Sequence, residues 1–386
     1  MAKQSTTTHY RACNLCEAIC GIQITVEDGE VVSIRGDRED PFSRGHICPK
    51  AVALQDIHND PDRLKQPMRR TSDGDWEQIT WEAAFDETAR RLHEVQSTHG
   101  RDAVAVYLGN PAVHNLGTML FGPALYRTLR TKNQFSATSV DQLPHHVAAT
   151  LMFGHQLMVP VPDIDRTQFM LILGANPAVS NGSMMTAPGM RRRLQELRQR
   201  GGRLIVIDPR RTETAELADR HLFIRPGTDA MLLAALLHVL FDEQLVDPDR
   251  LTDFTNSIDT VRDLVSDFPP EAVSSATGIP AEQIVRLARE FATAPSAVCY
   301  GRIGVSTQEF GGLCQWLINV LNIVTGNLDR PGGAMFATPA VDLLTRTGRG
   351  GLGRWRSRVR GLKSFGSELP VACLLYTSPS PRDSLH

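Results

Sequence analysis

Cys13, Cys16, Cys20 and Cys48 are the residues whose types and spacing most directly suggest chemistry. The first three form CxxCxxxC within eight positions, and the fourth is followed by Pro49. A cubane iron-sulfur cluster needs four thiolates around one small volume, and a tight loop can supply three while a returning strand supplies the last. A structural zinc site accepts the same donors but usually takes them as two CxxC-like pairs, so the spacing favours a 4Fe-4S cluster and leaves zinc as the alternative. Lys50 stands two residues beyond the last cysteine. A cation there would favour the reduced, more negative cluster and could bridge it to a second redox centre, although exposure to solvent is the commoner fate of a single lysine.

A second set of residues sits where loops follow apolar strands. Gly174-Ala175-Asn176-Pro177 follows a buried strand, where glycine and bare backbone donors let a phosphate approach a doubly wound sheet. Asp208, with Pro209 and Arg210 behind it, ends the next strand; its carboxylate could accept hydrogen bonds from a base or ribose, and Arg210 or Arg211 could meet a phosphate. The turn Pro226-Gly227-Thr228-Asp229 repeats the arrangement after a third strand. Each alone reads as a turn or a helix cap, but three at successive strand ends favour nucleotide binding. The GxGxxG fingerprint is missing, which argues against an ordinary nicotinamide enzyme.

The elements that position these groups are legible in the periodicity. Alternation through Ile22, Ile24 and Val26, a turn at Asp28-Gly29, and resumption at Val31, Val32 and Ile34 predict a hairpin within 20–50. After Ser72-Asp73-Gly74 the pattern becomes helix and strand in turn: a helix over 81–95, a strand over 104–108 and a helix around Tyr126. A second series runs from a strand over 169–173 through a helix ending near Arg200, stopped by Gly201-Gly202, to a strand over 204–207. It continues with a short helix near Glu216, a strand over 222–224, and a helix from Ala230 that Thr228 or Asp229 could cap. Pro280 opens a helix through Arg289, followed by a strand over 297–300 and a helix over 313–324. The expected class is α/β, with parallel sheets covered by helices on both faces.

Composition agrees with a multidomain globular protein: 386 residues, 41% apolar and 22% charged, exceed what one core organises. A formal net charge of -2 gives no reason to expect nucleic acid or an anionic membrane as partner. Small molecules and other proteins are the expected partners. The longest apolar stretch, 231–241, is too short for a bilayer and carries His238, so it reads as a buried helix. No export signal marks the first ten residues, and a cytoplasmic location is expected, where clustered cysteines bind metal rather than pair. Of the seven cysteines, Cys299 and Cys314 read as simply buried, and Cys373 is isolated.

Taken together, the cysteine pattern ending in Cys48-Pro49-Lys50, the GANP loop at Gly174, LIVIDPRRTETAELADRHLFIRPGTD over 204–229 and LNIVTGNLDRPGG over 321–333 closely resemble the molybdopterin oxidoreductases. That family includes formate dehydrogenases, nitrate reductases and dimethyl sulfoxide reductase-like enzymes. The resemblance spans residues 10 to about 336 in the right order. It implies a catalytic subunit holding molybdenum or tungsten between two molybdopterin guanine dinucleotides, with two-electron substrate chemistry at the metal. Electrons would pass through the 4Fe-4S cluster, by way of the lysine matching Lys50, to a partner subunit or carrier. It assigns Gly174, Ala175, Asn176, Pro177, Asp208, Pro209, Arg210, Gly227, Thr228 and Asp229 to the dinucleotides.

The resemblance also implies a domain plan: a cluster module over 1–62, a first α/β domain from 63–132 plus 294–340, and a second, dinucleotide-binding one over 133–293. Residues 341–386 are expected to be an irregular, Arg- and Gly-rich tail, with 373–386 resembling a translated sequencing adapter. Family members carry a further C-terminal pterin-binding domain, and nothing after Phe336 matches it, so the chain reads as truncated and, as a fragment, inactive. The metal-ligand stretch of formate dehydrogenases carries cysteine or selenocysteine, whereas FSATSVDQLPHH over 135–146 has neither. Counting back from the Gly174 loop places Asp141 there, with Ser139 as competitor; an oxygen ligand suits a hard, oxidised metal. Asp141 as an ordinary helix cap is the alternative. A relay subunit without molybdenum, like the large cluster-binding subunit of NADH dehydrogenase, is the second functional reading, and a zinc-stabilised nucleotide-binding module the third.

Overall fold

The structure, a computed structural model, describes residues 5–374. It divides into two compact units, Met1–Ala137 with Trp355–His386, and Thr138–Arg354.

In the first unit, β1 (Thr6–Ala12), β2 (Gly21–Glu27) and β3 (Glu30–Gly36) form an antiparallel sheet in that order. The β2–β3 turn uses Asp28 and Gly29 at φ 50° and 92°, the positive pair that a two-residue hairpin turn requires. The sequence gives no hint of β1, because all seven of its side chains are exposed and its backbone pairing, Thr6↔Glu27 through Ala12↔Gly21, is what holds it. Two short helices follow, α1 (Pro49–Val52) and α2 (Leu54–Asn59), then the hairpin of β4 (Met68–Arg70) and β5 (Trp76–Gln78). Helix α3 (Trp81–His99) starts where the Thr80 hydroxyl accepts the Ala83 N–H at 3.2 Å and stops at Gly100. The strands β6 (Val106–Leu108) and β7 (Gln134–Ser136) pair in parallel across α4 (Leu116–Leu129). The α/β alternation expected here is present, but its sheet has two strands only.

The tail differs from the irregular stretch expected. Lys363–Phe365 is a strand, the Leu369 N–H donates to the Gln134 carbonyl at 2.9 Å, and the Ser136 hydroxyl donates to Glu368 at 2.6 Å. Cys373 is buried against Phe135 and Leu369. Elements three residues long are too short to leave a hydrophobic period, which is why composition alone suggested none. Residues 375–386 of the suspected adapter lie outside the described residues.

The second unit is the doubly wound part. It comprises α5 (Leu143–Phe153), β8 (Val161–Pro162), β9 (Phe169–Leu173), α6 (Pro177–Ser180), α7 (Met190–Gln199), β10 (Arg203–Ile207), α8 (Glu213–Leu217) and β11 (Arg220–Leu222). There follow α9 (Asp229–Asp242), α10 (Ile258–Val265), α11 (Pro270–Thr277), α12 (Ala281–Thr293), β12 (Ala297–Gly301), α13 (Ile303–Ser306), α14 (Gly311–Val324) and β13 (Ala334–Met335). Four strands form one parallel sheet in the order β11-β10-β9-β12.

Every residue of β9 is buried, as a strand covered on both faces must be. Phe169, Leu171 and Leu173 join a core with α9, α12 and α14, while Met170 and Ile172 join another with Met190, Leu194 and Leu197 of α7. The amphipathic α12 lays Ile284, Leu287, Ala288 and Phe291 into the first core, and Phe291 meets Phe169 edge-on at 5.9 Å. The stretch 231–241 lies in α9, with His238 hydrogen bonded to the Val265 carbonyl at 3.1 Å. Cys299 and Cys314 are buried here, and burial pushes the Cys314 thiol up to about 12. Among the described residues no helix is long and apolar enough to cross a membrane.

The placement of β12 departs from the expected domain plan. Residues 294–340 were grouped with 63–132, yet Ala297–Gly301 pairs with Phe169–Leu173 and so belongs to the sheet of 133–293. Strand pairing across more than a hundred residues leaves no trace in local periodicity. Thr228, a candidate cap for α9, makes no such bond; its hydroxyl donates to the Arg225 carbonyl at 2.7 Å.

Candidate cluster and cofactor sites

The four cysteines meet at one end of the β1–β3 sheet. Cys13 follows β1 and Cys20 precedes β2, and the loop between them closes through the Cys13 N–H to the Cys20 carbonyl at 2.8 Å and the Ile19 N–H to the Cys16 carbonyl at 3.2 Å. Cys48 caps α1. The returning segment is brought in by Asp40, which accepts hydrogen bonds from Gly21 N–H at 3.3 Å and Ser43 N–H at 2.8 Å. Burial opposes the charge on Asp40, but the bonds from Ser43 and Gly21 prevail and hold its carboxyl below the usual range. Gly36 is needed at this crossing: a Cβ there would lie 2.0 Å from the Gly45 carbonyl oxygen.

All four cysteines pack into one apolar cluster with Ala18, Ile22, Ile34 and Ala51. Burial first, then the charges of the other three cysteines, push the Cys20 thiol up to about 12. Cys13 is raised by the same burial, with Lys50 opposing. Two buried and two half-buried thiols in one apolar cluster form a donor set whose charge as thiolates a cationic core would compensate, which fits an iron-sulfur cluster. Among the described residues no three Cys, His, Asp or Glu side chains converge on a single-ion site. Lys50, the second residue of α1, is exposed.

In the second unit the register sets the geometry. Leu173 pairs with Ile207 and with Gly301, so the next residues, Gly174, Asp208 and Arg302, stand at one level above the strand ends. Connections leave β9 toward β10 on one side and β12 lies on the other, which makes this the point where a doubly wound sheet opens a crevice. A cavity of about 420 Å³ lies here, lined by Asp141, Gly174, Ala175, Asn176, Asp208, Arg210, Arg302 and Gly304 among others. Its floor is a close contact of two loops: the Gly304 N–H donates to the Gly174 carbonyl at 2.9 Å, and Gly174 has φ 52°.

The side chains around this floor divide by role. Asn176 ties α6 to α8, accepting from Thr214 at 2.8 Å and donating to Glu213 at 2.7 Å. Asp208 accepts the Arg210 N–H at 2.8 Å, while burial raises its carboxyl. Asp229 is raised by burial too, with the neighbouring Asp208 charge adding to it, and accepts from Gln308 at 2.9 Å. Gln308 in turn donates to the Gly304 carbonyl at 2.9 Å, so Asp229 is linked to the floor without lining the cavity. Arg302, 7% exposed at its side chain, donates to Asp141 at 2.9 Å and to the Ser183 hydroxyl at 2.6 Å.

The structure thus brings together Asp141, Gly174, Ala175, Asn176, Asp208 and Arg210 of the residues singled out from sequence. Pro177 opens α6 and is buried, Pro209 is exposed, Ser139 is half-buried in the turn before Asp141, and Gly227 lines a separate apolar cavity with Ala230 and Met231. The expectation of three turns in register holds for Gly174 and Asp208; the third residue at that level is Arg302, not Asp229. Arg302 and Gln308 escaped notice in the sequence. The strand before Arg302 was located, and applying to it the strand-end rule used for Gly174 and Asp208 would have found the arginine.

Comparison with known proteins identifies the family. The model of the molybdopterin oxidoreductase family matches residues 63–359, and that of the molybdopterin oxidoreductase Fe4S4 domain matches residues 6–60. The thiosulfate reductase molybdopterin-containing subunit of Salmonella typhimurium is 30% identical over 85% of this chain and 42% of its own. The periplasmic nitrate reductase of Desulfovibrio desulfuricans is 28% identical over 84% and 44%, and formate dehydrogenase H of Escherichia coli 28% over 83% and 44%. The chain therefore spans less than half the length of these relatives. The fold is similar to that of acetylene hydratase from Pelobacter acetylenicus, with TM-score 0.73 and 24% identity over 86% of this chain and 45% of that one.

Proposed function

The chain belongs to the molybdopterin oxidoreductase family, and from that premise we propose that the whole protein is a molybdenum or tungsten enzyme whose metal is held by two molybdopterin guanine dinucleotides. When bound, that group supplies a metal able to exchange two electrons with a substrate. The observation that carries the reading is the strand-end cavity, where a glycine floor, two buried carboxylates close by and a buried arginine converge. Gly174 and Gly304 let a phosphate approach the backbone, Asp208 and Asp229 offer acceptors to a guanine edge, and Arg210 offers a cation. The residues present fit the group.

Within this proposal Cys13, Cys16, Cys20 and Cys48 hold a 4Fe-4S cluster, and Lys50 conducts electrons between it and the pterin on the way to a partner subunit or carrier. Asp141 provides the protein ligand to the metal, with Ser139 as competitor. An oxygen ligand suits a hard, oxidised metal, which inclines the chemistry toward oxygen-atom transfer rather than formate oxidation. The proposed location is the cytoplasm, a reducing compartment in which clustered cysteines bind metal rather than pair.

Elemental analysis of the full-length, anaerobically purified protein tests the proposal. Molybdenum or tungsten with about four irons and four acid-labile sulfides per chain is expected. Iron and sulfide without either heavier metal would move the protein to the electron-relay class, and stoichiometric zinc without sulfide would overturn the cluster.

A further inference from the structure

We infer that Arg302 is the positioning residue for Asp141, fixing one carboxylate oxygen so that the other faces the metal in a single orientation. This rests on the reading of Asp141 as the metal's protein ligand.

The pair is buried on one side and joins distant parts of the chain. Arg302 is 7% exposed at its side chain and Asp141 32%, and the two are 161 residues apart in sequence. A guanidinium cannot shed its charge, so at this depth it needs an anion beside it. Among the described residues Asp141 is the one that forms an ion pair with it. Both protons of Nη2 are spoken for, by Asp141 and Ser183, and Nη1 reaches the Met184 sulfur. Nε is buried and has no partner among the described residues.

The backbone beneath Arg302 is fixed as firmly as its head. Its N–H donates to the Leu173 carbonyl at 3.4 Å, and its own carbonyl accepts from Val305 and Ser306 at 3.0 Å each. The preceding Gly301 carbonyl accepts from His145 Nε2 at 3.0 Å. His145 lies on α5, the helix that Asp141 leads into. Burial and the Arg302 charge hold His145 neutral, with its pKa down to about 3. One helix therefore carries the carboxylate's segment and braces the arginine's strand.

On the far side Arg302 grips a strained segment. Asn181, Met184 and Thr186 all have positive φ, at 53°, 59° and 47°. Such conformations persist only where surrounding contacts impose them, and Tyr300 helps by donating its hydroxyl to the Ser183 carbonyl. A surface ion pair formed by chance has no comparable anchoring at both ends.

A carboxylate held at one oxygen by a fixed cation is restrained in its rotation. Its second oxygen is then presented in one orientation. The test uses the holoenzyme, comparing wild type, Arg302→Met, Arg302→Lys and Asp141→Ala by metal content, X-ray absorption and the electron paramagnetic resonance of pentavalent molybdenum. Arg302→Met should keep its iron and sulfide while losing the single oxygen scatterer assigned to the protein and broadening the resonance into several species. Arg302→Lys should recover part of the wild-type signal, because charge returns without the fork. Spectra of Arg302→Met identical to wild type would overturn the inference. If Arg302→Met does not accumulate, Arg302→Lys decides by the same criterion. Should Asp141→Ala also leave the oxygen coordination unchanged, it is the ligand reading of Asp141 that fails; a change in Asp141→Ala alone condemns only the role of Arg302.

Discussion

Gly174→Ala should damage the second unit more than any other exchange of one hydrogen for a methyl at the cavity. Two effects add. An L-residue at φ 52° lies in the left-handed region, which costs about 1–2 kcal/mol. The new Cβ would also stand 2.7 Å from the Val305 nitrogen, 2.8 Å from the Gly304 carbonyl carbon and 2.9 Å from its Cα. All three are backbone atoms, so no side chain can turn aside, and forcing the loops apart costs about 1–3 kcal/mol more. The sum, about 2–5 kcal/mol, corresponds to a drop in Tm of roughly 4–20 °C for a unit of this size. Gly304→Ala meets the same contact from the other side, with its Cβ 2.7 Å from Gly174 Cα. Once one methyl has separated the loops, the second finds room, so the double variant should lose clearly less than the sum of the singles. Differential scanning calorimetry of the four proteins gives the answer. A Gly174→Ala protein melting within about 2 °C of wild type, or strictly additive losses, would show that the loops yield freely and that the cavity floor is not a fixed contact.

Four further outcomes follow from particular residues. For His145, folded pKa about 3 against 6.5, the unfolded chain binds the extra proton between those values, so stability falls as pH drops through that window by up to about 1.4 kcal/mol per unit; His145→Gln should flatten this part of a urea-midpoint profile, and parallel profiles would contradict it. Asp229→Asn should raise the Tm of cofactor-free protein at pH 8, since the buried carboxyl's raised pKa means its stability contribution is lost as pH rises; the gain should vanish toward pH 4, and a lower Tm at pH 8 would contradict the sign. Phe291→Ala removes a ring that is 1% exposed against Phe169 and should cost about 3–5 kcal/mol in chemical denaturation; a loss below about 1 kcal/mol would mean the core collapses onto the gap. Lys50→Ala in the full-length enzyme should retain iron, sulfide and molybdenum yet lose most turnover with an acceptor reached through the cluster, and unchanged turnover would remove the lysine from the electron path.

What the sequence revealed follows the range over which each signal acts. Residues 169–173 and 204–207 were located almost to the residue because a strand buried on both faces must be continuously apolar. The cysteines stood out because a metal-ligand spacing restricts residue type. The strand β1, polar and fully exposed, had no such signature. Nor did the membership of β12 in the sheet of β9, a pairing between residues about 128 positions apart that local pattern cannot encode. The strand-end rule could have singled out the position of Arg302, but its partners could not be read locally: Asp141, Ser183 and His145 come near it only when the chain is folded.

The shared level of Gly174, Asp208 and Arg302 bears on how this chain can change length as well as composition. A residue added to or removed from β9, β10 or β12 would shift one loop by about 3.3 Å against the other two and exchange the faces of every following side chain in that strand. Substitutions at the ledge can be graded, but insertions and deletions beneath it cannot. The turn at Ser72-Asp73-Gly74 between β4 and β5, exposed at Ser72 and Asp73, stands under no such restriction, and length variation should accumulate there rather than beneath the ledge.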